Sequence, residues 1–249
     1  MSQQNDHLVL IGGKSGGGKS ASLRNLPEPE GVLYLNCEAG KKLPFAAKFR
    51  KGPDGQTGFK ITDPYQVYDA FDFAEKQGNS IHTIVVDSQT FLMDMFESVH
   101  VIPAADTQKA WGMYQQYYKN LMQQYVAGSS KNVIFTAHII DVLNDSEHIM
   151  ETKVPVKGAL KNQGIEAYFS TVVEARKMNL IDLEPYQNSL LTITEEERML
   201  GFKYVYQTRI TKESVGHRIR SNMGMWSVPE TFIDNDAAIL LKRLHDYYA

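Results

Sequence analysis

The chain has 249 residues, 43% of them hydrophobic, a formal net charge of −3 and a single cysteine, Cys37. That length suits one α/β domain with room for elaboration, and a lone cysteine excludes an internal disulfide framework. No apolar run approaches the roughly 20 residues of a membrane span, residues 1–7 carry no secretory pattern, and the charge makes no electrostatic case for nucleic acid, so a soluble cytoplasmic protein without membrane partners is expected, in the host cytoplasm if the chain is viral.

The predicted elements alternate strand-like runs with helical patterns, as in layered α/β domains. Residues 7–12 predict a buried strand. A glycine-rich loop follows, then a short helix through Leu23 and Leu26 that Pro27 and Pro29 stop. Residues 32–37 predict a second buried strand. Asp63 and Pro64 read as the cap and first position of a helix whose apolar face carries Val67, Phe71 and Ala74. A third strand is predicted over 83–87. Trp111, Tyr114, Tyr118, Leu121 and Tyr125 recur at helical spacing. A fourth strand covers 131–138, and two more fall at 171–175 and 204–208. Ala237, Leu240, Leu241, Leu244 and Tyr248 mark a closing helix. Two stretches break the alternation: 139–164 is polar and irregular, and 179–201 reads as an insertion with a capping box at Thr194 and Glu197. Neither is long enough for a separate domain, so residues 1–249 are expected to form one.

Gly13, Lys14, Ser15, Gly16, Gly17, Gly18, Lys19 and Ser20 spell Gly-x-x-x-x-Gly-Lys-Ser. Glycines let the backbone curl so that successive N–H groups face phosphate oxygens, and the following helix adds a partial positive charge. Lys19 supplies an ammonium for the β- and γ-phosphates, and the Ser20 hydroxyl suits Mg²⁺. Ala21 completes the cradle. A glycine-rich turn could match by chance, but an apolar strand enters this one and a helix leaves it. The implied ligands are ATP and Mg²⁺.

Three further residues end strands at the edge where open α/β sheets bind ligands. Asp87 is a candidate to hold Mg²⁺ through water; the alternative is a cap for the next helix. Glu38 is a candidate to orient the attacking water, because Ser88, Gln89 and Thr90 leave no carboxylate directly after Asp87; an exposed loop glutamate is the alternative. His138 is either a sensor of the γ-phosphate or a buried histidine satisfied by backbone.

Together the phosphate loop, residues 32–38 ending in Glu38, Val85-Val86-Asp87-Ser88, the helix opened by Trp111 and Phe135-Thr136-Ala137-His138 resemble the RecA/RadA-like ATPase core. The chain is most similar to the compact bacteriophage recombinase-type ATPases of the Sak group. The resemblance implies a RecA-like P-loop NTPase fold, a mostly parallel central sheet flanked by helices. It also implies ATP hydrolysis in DNA recombination or replication, assembly into rings or filaments on single-stranded DNA, and single-strand-binding or other recombination proteins as partners. Glu38 and Lys19 would be catalytic. His138 stands where RecA-like proteins carry a glutamine, a departure from the pattern. Arg218 and Arg220 would reach a neighbouring subunit's γ-phosphate; alternate residues on a strand share a face, and a solvated basic loop is the alternative.

In such proteins the loop after the sensor strand faces DNA, here 139–164. Lys153, Lys157 and Lys161 are the candidate DNA contacts, but Asp141, Asp145, Glu147 and Glu151 are interspersed with them, so no phosphate-tracking stripe results. Tyr168 and Phe169 could stack on bases, although their place beside a core strand favours burial. Lys14, five residues before Lys19, keeps a ParA/MinD-like dimeric positioning ATPase open. A non-catalytic nucleotide-binding scaffold is a further alternative. A small-molecule kinase fits less well, since no arginine-rich lid is evident.

Overall fold

The computed structural model describes residues 7–145 and 148–249. Residues 1–6, which include most of the polar opening stretch, and Glu147 lie outside the described residues. No helix of the described residues is long and apolar enough to cross a membrane.

The elements run β1 (Leu8–Gly13), β2 (Val32–Asn36), β3 (Phe59–Lys60), α1 (Gln66–Lys76), β4 (Thr83–Asp87), α2 (Gln89–Phe96) and α3 (Thr107–Asn120). They continue through β5 (Asn132–His138), β6 (Ile140–Asn144), β7 (Ile149–Lys153), α4 (Leu160–Gln163), β8 (Thr171–Asn179) and α5 (Leu180–Leu183). The last are α6 (Glu195–Leu200), β9 (Phe202–Gln207), β10 (Phe232–Asp234) and α7 (Ala237–Tyr248).

Eight strands form the central sheet in the order β10-β9-β8-β1-β5-β4-β2-β3. The strands from β8 to β3 pair in parallel, while β9 runs antiparallel to both β8 and β10. This is the mostly parallel, RecA-like architecture expected. The strand β5 lies between β1 and β4, which separates the phosphate-loop strand from the Asp87 strand by one position.

Strand periodicity divides the core into two layers. Leu10, Leu33, Leu35, Ile84, Val86, Val133 and Phe135 face α1, α2 and α3. Val9, Ile11, Val32, Tyr34, Val85 and Ile134 face Trp226 and α7. Burial on both faces explains why these strands read as continuous apolar runs rather than alternating ones.

Several expectations need correction. The short helix expected after the phosphate loop is present as a six-residue 3-10 helix, Ser20–Asn25, and the chain turns away at Leu26 just before two prolines. The first long helix begins at Gln66, two residues later than its signals suggest; Asp63 instead accepts from the Tyr65 N–H at 2.8 Å. Residues 139–164 are not irregular throughout: β6 and β7 pair as antiparallel strands over 140–144 and 149–153. The strand expected at 171–175 extends to Asn179. In the insertion the capping box at Thr194 and Glu197 is present and starts α6.

Phe135 is fully buried and meets the Phe169 ring edge-on at 5.5 Å. Phe135→Ala should lower unfolding free energy by about 3–5 kcal/mol, as read from urea denaturation. A loss below about 1 kcal/mol would mean that this layer repacks freely.

Candidate functional site

A cleft of roughly 730 Å³ opens at the C-terminal edge of the parallel strands, lined by Ser15 to Ala21, Tyr34, Glu38, Asp87 and His138 among others. The sheet brings these residues together because β2, β4 and β5 end side by side next to the loop that follows β1.

The loop is tightly seated. At Gly17 a Cβ would lie 2.7 Å from the Ala175 carbonyl oxygen of β8. Gly18 has φ +94°, and a Cβ there would lie 2.5 Å from Asn235 Nδ2, so no L side chain fits. The Gly17 N–H donates to the Lys14 carbonyl at 3.0 Å, and Asn235 Nδ2 donates to the Gly18 carbonyl at 3.0 Å. The Lys19 ammonium folds back onto the Gly13 and Lys14 carbonyls at 2.8 and 3.1 Å. Burial lowers its pKa to about 8, against the opposing pull of Asp87 and Glu38.

Asp87 is 2% exposed. Tyr34 donates its phenol to Oδ2 at 2.8 Å, and the Thr136 hydroxyl donates to Oδ1. These bonds fix the carboxylate next to the loop. A Mg²⁺ ion needs few protein oxygens because phosphates and water complete its octahedron. The Ser20 hydroxyl and the pre-oriented Asp87 carboxylate fit that requirement.

Glu38 Oε1 lies 3.6 Å from His138 Nε2, and Oε2 accepts from Lys41 Nζ at 3.1 Å. The His138 contact first, then Lys41, hold its carboxyl down at about 2 although burial pushes it up. It is therefore an anion at neutral pH, suited to orienting water more than to stripping a proton from it. The His138 backbone N–H donates to Thr90 Oγ1 at 2.9 Å, and its ring meets Phe91 edge-on.

The other candidates stand elsewhere. Lys14 turns away from this cleft to pair with Asp141 of β6 at 2.5 Å. Arg218 pairs with Glu166 at 3.1 Å and Glu151 at 3.5 Å. Arg220 donates to the Phe169 carbonyl at 3.3 Å. Residues 218–220 lie outside the strands, so the alternation expected to put both guanidiniums on one face does not apply, and each guanidinium bonds within its own chain. Lys153 pairs with Glu151 and Lys157 with Glu97, while Lys161 is exposed. Phe169 is buried, and Tyr168 packs edge-on against Tyr118.

Sequence reasoning missed Tyr34, Thr136 and Asn235. A hydroxyl in an otherwise apolar strand next to the Asp87 strand was the available signal for the first two. Asn235 carried none, because its partner lies 217 residues away.

A family model described as an AAA domain matches residues 6–204. No curated protein matches the chain.

The lowered pKa of Glu38 predicts a pH dependence. A carboxyl held below its ordinary 4.5 stabilises the fold above that value, and its contribution disappears as pH falls through about 2. Glu38→Gln should therefore lose less stability than the parent chain between those limits, as measured by thermal unfolding across acid pH. Parallel profiles would contradict the assignment.

Proposed function

Since the chain belongs to the AAA domain family, we propose that it is a Mg²⁺-dependent ATPase of phage-type DNA recombination or replication, acting on single-stranded DNA as an oligomer. One observation carries the ATPase part: Lys19, Ser20, Asp87, Glu38 and His138 converge on one cleft from four separate segments. Lys19 leaves the loop carbonyls to hold the β- and γ-phosphates, and the loop N–H groups hold their oxygens. Ser20, and Asp87 through water, would hold Mg²⁺, which would supply positive charge to the phosphates. Glu38 orients the water in line with the γ-phosphate. His138, already beside Glu38, links that carboxylate to the strand end and senses the phosphate.

The DNA part rests on the sequence resemblance to Sak-type recombinase ATPases, as do the ring or filament and the recombination partners. Lys153 and Lys157 pair within the chain and Lys161 is exposed; in this reading DNA contact falls to surfaces completed on assembly. Arg218 acts in trans only if a neighbouring subunit displaces Glu166 and Glu151.

ATP turnover measured with and without single-stranded DNA tests both parts. Turnover should need Mg²⁺, rise with DNA and fall roughly 100-fold or more in Lys19→Ala. Negative-stain images with an ATP analogue should show rings or filaments. Absence of turnover would remove the enzyme reading, and a monomer indifferent to DNA under every condition would remove the DNA reading.

A further inference from the structure

The cleft has a second wall that the phosphate chemistry does not use. Thr192, Thr194, Lys203, Tyr204, Asp234, Asn235 and Asp236 line it. All come from the segment after α5 and from the β9 and β10 ends. This wall is built rather than loose. Asn188 Nδ2 donates to the Tyr186, Pro229 and Phe232 carbonyls at 2.9, 3.0 and 2.9 Å. The Thr192 N–H donates to Asp234 Oδ1 at 3.1 Å, and the Asp234 N–H donates to the Leu190 carbonyl at 2.8 Å. Lys203 is buried between Glu197 at 2.7 Å and Asp234 at 3.1 Å.

Sheet order gives the wall its direction. Glu38, Asp87 and His138 end strands on one side of β1, whereas β8, β9 and β10 lie on the other. A triphosphate seated on the loop with its γ-phosphate at Glu38 and Asp87 must send its nucleoside toward β9. From the Asp87 strand to the Tyr204 strand is about 19 Å at ordinary strand spacing, within reach of an extended nucleoside triphosphate.

Tyr204 is the aromatic residue at that end. Its side chain remains 37% exposed while most of the wall's charges answer one another. A Cβ at Gly18 would lie 3.1 Å from Tyr204 Cδ1, so the ring abuts the phosphate loop itself. Its cross-strand partner Lys177 places an ammonium over the ring at 5.4 Å. Thr192 and Thr194 are exposed residues on the same wall, the Thr194 hydroxyl accepting from the Glu197 N–H at 3.2 Å.

Resting on the nucleotide reading above, we infer that the insertion and β9 form the nucleoside end of the site, with the nucleobase stacking on Tyr204. The insertion is thus part of the nucleotide site, and Tyr204 contributes through a π-face that any base can use. Asn235 is a positioning residue, holding the Gly18 carbonyl so that the loop stays open beside the ring.

Calorimetric titration with ATP and with inorganic tripolyphosphate, both with Mg²⁺, tests this. The parent chain should bind ATP more tightly than tripolyphosphate. Tyr204→Ala should weaken ATP roughly tenfold and leave tripolyphosphate unchanged. Tyr204→Leu, which keeps an apolar contact on Gly18, should behave like the alanine variant, and Tyr204→Phe like the parent. Undiminished ATP affinity in Tyr204→Ala and Tyr204→Leu would overturn the inference while leaving the nucleotide reading intact, as would an equal loss of both ligands. A parent chain that binds neither ligand would overturn the nucleotide reading and this inference with it.

Discussion

Asp87 places a carboxylate where almost no water reaches it, and the fold must answer it from within. It does so with two hydroxyls, Tyr34 from β2 on one side and Thr136 from β5 on the other. Burial, with Asp87 beside it, pushes the Tyr34 phenol far above its ordinary value, so it remains a donor at neutral pH. Three adjacent strands are therefore tied at their ligand-facing ends by side chains as well as by the backbone ladder. Removing the carboxylate would strand two buried hydroxyls, and removing either hydroxyl would leave the carboxylate underbonded. His138 follows Thr136 by two residues and Glu38 follows Tyr34 by four, so both lie beyond this knot toward the cleft.

The phosphate loop answers a different demand. It is pressed against the Ala175 carbonyl on one side and clamped by Asn235 on another. Backbone N–H groups, rather than a long helix dipole, must carry anion binding, since the following helix has only six residues. Lys19 meanwhile satisfies two loop carbonyls. These bonds hold the loop in shape, and a phosphate bound there would have to draw Lys19 off them. Lys14 ties the loop to β6 through Asp141, but that pair is exposed and contributes little to stability.

The strand ends were legible because a parallel sheet buried on both faces writes itself as apolar runs closed by single polar residues. Glu38, Asp87 and His138 stood out for that reason, and their convergence on one cleft follows from strand order. Tyr34 and Thr136 look like ordinary strand residues until the register sets them against Asp87. Tyr204 and Asn235 were invisible as site residues because segments far apart in sequence assemble that wall. The β6–β7 pair escaped notice because its strands bury little: Ile140, Leu143, Ile149 and Met150 are exposed, so no clean alternation marks it. The arginines at 218 and 220 were read as alternate residues of a strand sharing a face, but they lie outside the strands, and their partners in residues 151–169 lay outside any local pattern.

The proposed hydrolysis turns on Glu38 orienting water rather than binding nucleotide. Single-turnover hydrolysis of radiolabelled ATP by Glu38→Gln, with ATP affinity measured on the same preparation, tests this most directly. Affinity should stay within a few-fold of the parent while hydrolysis slows at least roughly 100-fold. Hydrolysis at the parent rate would contradict the account and require another residue to position the water.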